Sequence, residues 1–356
     1  ALAEGVRAIG ISSFFDASVY ARFDEACRGA GIVPLFSLEF VTLDTDLAAA
    51  GVKVNDPANP GRIYFCGKAV RPPAPGEAVA PFARRIREAN DARAHAMLGR
   101  VAAHAAAAGV AVDLRPEGIE AAVADAAGVP SDWVSLQERH IARAVVEALT
   151  QAQADGRPDA FARVLGREPK ASLDDVAGLA DEVRASLLKV GRPGFVPDAP
   201  LAFADVYRHI LDLGGIPTYP ILGDGAPTPS SFETPPAELA RRLRARGIHA
   251  AELIPLRNRS AVVDDYVAAL TAVGIIVVAG TEHNTPERLS LVPAALDGPL
   301  SDAARAAFFQ GLCVMAAHAA RVAQGRPGFM DAEGRPTGLR DVLAAEGAAI
   351  IERSAS

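Results

Sequence analysis

Cysteine is scarce. Cys27, Cys66 and Cys313 are scattered through 356 residues and form no CxxC pair. That excludes a disulfide scaffold or a thiolate zinc knot, and reads as small buried hydrophobes in a reducing, cytoplasmic setting. No apolar run approaches the ~20 residues that span a bilayer, so no membrane partner is expected. A basic block is missing too, and the formal net charge is −7, which argues against nucleic acid as a partner. The N-terminal ALAEGVRAIGI has no basic region leading into a long apolar stretch, and it lacks an initiator Met, as a trimmed chain would. The P-loop, G-x-S-x-G, H-E-x-x-H and G-x-G-x-x-G motifs are all absent. Ser186-Leu-Leu-Lys189 matches S-x-x-K, but without its usual companions it reads as ordinary helix.

What is present is a core-former. Half of the residues are hydrophobic, and the length exceeds a usual domain of about 100–200 residues. Short apolar runs at Val6–Ile11, Ile32–Phe40, Arg62–Cys66, 216–222, Ala250–Leu256 and Ile275–Ala279 alternate with helical spacing at Ser18–Gly29, Leu201–Leu213 and Ala261–Val273. Such alternation predicts a parallel sheet with covered faces. Thr234 and Pro235 read as the N-cap and first turn of a further helix, and Thr285 and Pro286 as those of another. After PPAPG at 72–76 the composition turns to Ala, Arg, Glu and Leu, which predicts helices. Ser135 and Glu138 have capping-box spacing there, and only Val110–Leu114 looks extended. The expected division is a discontinuous α/β unit, 1–76 with 200–356, and a helical insertion, 77–199.

Polar residues follow the apolar strands: Glu39, then Tyr219 and Asp224, then Arg257 and Asn258, then Glu282, His283 and Asn284. In a parallel barrel or open α/β sheet that edge binds ligands, although polar residues also simply cap strands. Carboxylates and a neutral imidazole suit zinc, manganese or iron, and equally suit general acid–base work. The other six histidines read as surface, packing or helix residues.

The segments AIGISS at 8–13, IVPLFSLEF at 32–40, GGIPTYPIL at 214–222, AAELIPLRN at 250–258 and VVAGTEHNTP at 277–286 resemble the polymerase and histidinol phosphatase (PHP) superfamily of metal-dependent phosphoesterases. The resemblance implies an α/β fold, a distorted TIM-like (β/α)7-type barrel, here with a large helical insertion. It places Glu39 on a metal-binding Glu. Glu282 and His283 fall in the last motif, where acid and imidazole are adjacent rather than spaced. Ser12-Ser13-Phe14 stands where the family has Thr-Asp-His, Tyr219 stands where it has another His, and the opening His-x-His is not in this chain. The family therefore implies a reduced metal site.

On that reading Glu39, Glu282 and His283 bind a divalent metal (Zn, Mn or Fe), with Asp224 or Glu252 as further candidates, or the metal is absent. Glu282 and His283 are the catalytic candidates. Arg257, Asn258, Tyr219, Asp224 and Asn284 are the substrate-binding candidates. The expected partner is a small phosphorylated or carbohydrate-like metabolite, and oligomeric state stays open. Three functions compete: a metal-dependent phosphoesterase, a catalytically inactive barrel that binds a ligand, and a metal-free lyase or isomerase using Glu282 and His283.

Overall fold

The computed structural model describes residues 1–73, 80–226, 229–281, 283 and 289–354. It forms two compact units, Ala1–Glu77 with Pro200–Ser356, and Ala78–Ala199.

The first unit is built on seven strands: β1 (Ala8–Phe14), β2 (Val33–Leu43), β3 (Arg62–Lys68), β4 (Leu201–Ala202), β5 (Ile216–Ile221), β6 (Ala250–Leu253) and β7 (Ile276–Ala279). They hydrogen-bond in the order β1-β2-β3-β5-β6-β7, with β4 against the end of β2. The result is the curled sheet of a distorted TIM-like barrel. One expectation is corrected: the sheet is mixed, because β3 runs antiparallel to both β2 and β5.

The two faces of the sheet differ, since side chains alternate along each strand. Helices α1 (Tyr20–Gly29) and α8 (Phe203–Asp212) cover the outer face, where Tyr20 meets Phe36, Phe40 meets His209, and Phe65 meets Phe203. Also in this unit are α2 (Thr45–Ala49), α9 (Pro236–Ala245) and α10 (Ser260–Ala272). Asp44 caps α2 by accepting from the Asp46 and Leu47 N–H groups. The N-cap of α9 is Pro235 rather than Thr234, with Pro236 at the first helical position. The expected cap at Thr285 lies outside the described residues.

The inner face carries Leu35, Ile216, Ala250, Ile276 and Val278, against which pack Cys313 to Ala317 of α11 (Asp302–Ala323) and Leu343 and Ile351 of α12 (Arg340–Arg353). By length and composition α11 passes as a membrane span, against the sequence expectation. Here it lies against the sheet: a side chain at Gly311 would collide with the Val277 carbonyl. Because α11 and α12 cover the layer near the strand N-termini, the inner face further along β1, β2 and β6 is left for polar side chains.

The second unit comprises α3 (Pro81–Ala107), α4 (Pro116–Ala127), α5 (Glu138–Ala154), α6 (Ala160–Leu165) and α7 (Val176–Val183). Met97, Leu98 and Val101 of α3 meet Ile141, Val145 and Leu149 of α5, Phe161 of α6 and Leu179 of α7 in one core. Their i, i+4 and i+8 spacing is what a helix needs to bury one stripe. Val110–Leu114 is not a strand, and its two ends, Val110 and Leu114, are buried in this core. The α5 cap is shifted from Ser135 and Glu138 as well: Gln137 precedes the helix and its N–H donates to His140 Nδ1 at 3.1 Å.

Candidate functional site

Register fixes which side chains share the inner face. Ser12 pairs with Ser37, Phe14 with Glu39, Glu39 with Cys66, Cys66 with Thr218, and Thr218 with Ala250. Partners across a ladder lie on the same face. Phe14, Glu39, Cys66 and Lys68 therefore join Glu252, two residues beyond Ala250, on one side of the sheet. Phe14 is 40% exposed and Ser12 is exposed, so this face is reachable from solvent.

The centre of the face is an ion pair. Lys68 Nζ donates to Glu252 Oε1 at 2.6 Å, and the two side chains are only 10% and 13% exposed. Burial alone would discharge the lysine. The attraction and hydrogen bond of Glu252, together with the Glu39 carboxylate, outweigh it and hold the ammonium above its ordinary pKa. Burial raises the Cys66 thiol well above its usual value, against the pull of Lys68, so Cys66 is a neutral thiol. A Cβ at Gly280 would stand 2.6 Å from Glu252 Oε1, so this carboxylate fits only because position 280 has no side chain. Two residues just after the site's side chains, Phe15 (φ 46°) and Ala69 (φ 53°), hold left-handed backbone that residues with a Cβ rarely adopt. They turn the chain sharply beyond Phe14 and Lys68.

The sequence candidates distribute as follows. Glu39 lies on this face, within β2 rather than past its end. Tyr219 points to the opposite face, 1% exposed, and its hydroxyl donates to Glu233 at 3.0 Å. Glu233 is fully buried and also accepts from the Leu222 and Gly223 N–H groups. Burial pushes its pKa up while these three donors oppose that, with a net rise. Asn258 is fully buried as well: its Oδ1 accepts from the Asp224 N–H at 2.7 Å and its Nδ2 donates to the Ile254 carbonyl. Asp224 pairs with Arg259 at 2.9 Å, and the hydrogen bonds from Arg259 lower its pKa. Tyr219, Asp224 and Asn258 thus brace the loops after β5 and β6. Arg257 is exposed in the turn after β6. His283 is exposed, with Nε2 on the Leu289 carbonyl and Nδ1 on the Thr281 hydroxyl, both at 2.9 Å. Glu282 and Asn284 lie outside the described residues.

Lys68 and Glu233 were missed by the sequence reading. A signal existed for Lys68: it is the one charge after Arg62 in the otherwise uncharged strand RIYFCGK.

The described residues do not fit a metal centre. Among them no group of three or more His, Cys, Asp or Glu is placed to hold an ion. The Leu289 carbonyl can only accept, so His283 Nε2 carries the proton and its remaining lone pair, on Nδ1, meets the Thr281 hydroxyl. Glu252 faces an ammonium, and a divalent cation beside that ammonium would be repelled.

No family model matches the chain, and no curated protein matches it. Among solved structures it is similar to a protein from Bifidobacterium adolescentis, provisionally described as a metal-dependent phosphoesterase: TM-score 0.50, 15% identity, 85% of each chain covered. It is also similar to an amidohydrolase from Chromobacterium violaceum with bound sulfate and no metal, at TM-score 0.48 and 17% identity, over 86% of this chain and 88% of that one. The first likeness supports the barrel fold.

Proposed function

We propose that the chain is a divergent PHP-like barrel that binds a small carbohydrate-like, polyhydroxylated metabolite on the inner face of its sheet. The observation that carries this is the Lys68–Glu252 pair with Glu39 beside the exposed Phe14. Carboxylates accept from sugar hydroxyls, and an ammonium donates to them. The exposed phenyl ring offers an apolar surface to the C–H face of a sugar ring. Two carboxylates to one ammonium leave excess negative charge among these groups, which disfavours a phosphate dianion. The protein is read as cytoplasmic.

Melting curves against a panel of neutral sugars, sugar acids and phosphorylated sugars test this. A concentration-dependent rise in Tm with neutral sugars or polyols is expected, without turnover of phosphoesters. A rise confined to the phosphorylated compounds would refute it.

A second reading follows from the fold likeness to the Bifidobacterium phosphoesterase: a metal-dependent hydrolase using Glu39, Glu282 and His283. Hydrolysis of a phosphoester that needs added Mn²⁺ or Zn²⁺, and is lost in His283→Ala, would establish that reading over the first.

A further inference from the structure

We infer that the Lys68 ammonium is a built-in counter-cation, filling the place among the Glu252 and Glu39 carboxylates that a divalent metal would otherwise take. A neighbour of this fold is described as metal-dependent, whereas here an ammonium stands on the carboxylate that would face the ion.

The geometry supports this in three ways. The ammonium is directly on Glu252 Oε1, at 2.6 Å, in a pair with little solvent access. A metal approaching that oxygen meets a positive charge already in place. The carboxylate has its place beside the ammonium because Gly280 carries no side chain, a Cβ there standing 2.6 Å from Oε1. The lysine stem is fixed at its root, because Ala69 takes a left-handed conformation directly after it and Cys66, two residues before, is buried. Lysine is chemically suited to the exchange: it is a compact point charge with three donors, and it cannot act as a ligand while protonated. Without it, two half-buried carboxylates lose a cation, a deficit that a divalent ion makes good.

Purification without chelators or a polyhistidine tag, followed by dialysis against Mn²⁺ or Zn²⁺ and metal analysis by plasma mass spectrometry, tests this. The wild type is expected to show no saturable uptake and no rise in Tm with either ion. Lys68→Met, which keeps the stem and removes the charge, is expected to take up metal at least ~100-fold more tightly and to gain Tm on loading. Lys68→Met combined with Glu252→Gln, which neutralises both partners, is expected to lose that uptake. Saturable uptake by the wild type at the affinity of Lys68→Met overturns the inference. So does a folded Lys68→Met that takes up none. If circular dichroism shows Lys68→Met to be unfolded, Lys68→Gln replaces it under the same criteria, and the wild-type arm decides in either case. No arm uses a sugar, so this inference and the proposed ligand class fail separately.

Discussion

A buried charged or polar side chain is kept only where its neighbours satisfy it, and Glu233 shows how strictly. Its two oxygens receive three donors, the Tyr219 hydroxyl and the Leu222 and Gly223 N–H groups. Glu233→Gln puts an amide –NH₂ where a donor already points, whichever way the amide is turned. Such a clash of donors in a buried site costs about 1–3 kcal/mol, and urea unfolding should show the midpoint falling with an unchanged slope. An unaltered midpoint would mean that the carboxylate is not the keystone of the loop after β5. Phe14 presents the opposite case. It is 40% exposed, so Phe14→Ala should change stability little while weakening sugar-dependent stabilisation about tenfold, a loss near 1.4 kcal/mol. Melting curves with and without ligand read both effects. An equal response in the variant would remove Phe14 from the binding face.

Helices α11 and α12 approach their neighbours closely because glycine lets them. A Cβ at Gly347 would strike the Cys313 backbone, and one at Gly311 the Val277 carbonyl. Backbone cannot step aside as a side-chain tip can, so Gly347→Ala should destabilise by about 1–3 kcal/mol despite the better helix propensity of alanine. Gly99 in α3 is the control: nothing lies within 4 Å of its would-be Cβ. Gly99→Ala should therefore gain up to about 1 kcal/mol. The same sign from both substitutions, measured by thermal unfolding, would refute the packing argument. The strands were legible because an apolar run announces itself whatever surrounds it, and β1, β2, β3, β5, β6 and β7 overlap the runs read from the sequence. The antiparallel direction of β3 was not, because RIYFCGK has the same apolar pattern whichever way its neighbours run. Nor did following a strand mean facing a ligand. Tyr219 sits within β5 and alternation turns it to the outer face, while Asn258 is consumed in bracing the turn after β6. The Lys68–Glu252 pair joins residues 184 positions apart, a relation that no local spacing encodes.

At the scale of the whole molecule, buried neutral imidazoles set how the protein meets acid. His318 of α11 is 2% exposed. Its Nε2 donates to the Gly214 carbonyl at 2.7 Å, just before β5, and its Nδ1 accepts from the Phe329 N–H at 2.9 Å. Three segments distant in sequence are thereby tied through one ring whose two nitrogens are both committed. Protonating Nδ1 would set a new N–H against the Phe329 N–H. Burial lowers the pKa of His318 to about 4, the Gly214 carbonyl opposing, from an ordinary 6.5. His249 is depressed to about 4 as well, by burial and by Arg244, whose guanidinium lies 2.7 Å from its Nδ1. Between those values the unfolded chain binds protons that the folded chain refuses, so folding stability rises with pH across that window. The contribution is fully present above the unfolded pKa of 6.5 and is lost as pH falls towards 4. For His318 alone a depression of this size is worth roughly 3 kcal/mol. Urea midpoints should therefore fall steeply between about pH 7 and pH 4.5. His318→Gln, which cannot titrate, should be less stable at neutral pH and should flatten the slope. A wild-type midpoint that does not move over that range, or a variant as acid-sensitive as the wild type, would show that the ring titrates freely in the fold and does not tie α11 to the sheet as a neutral imidazole.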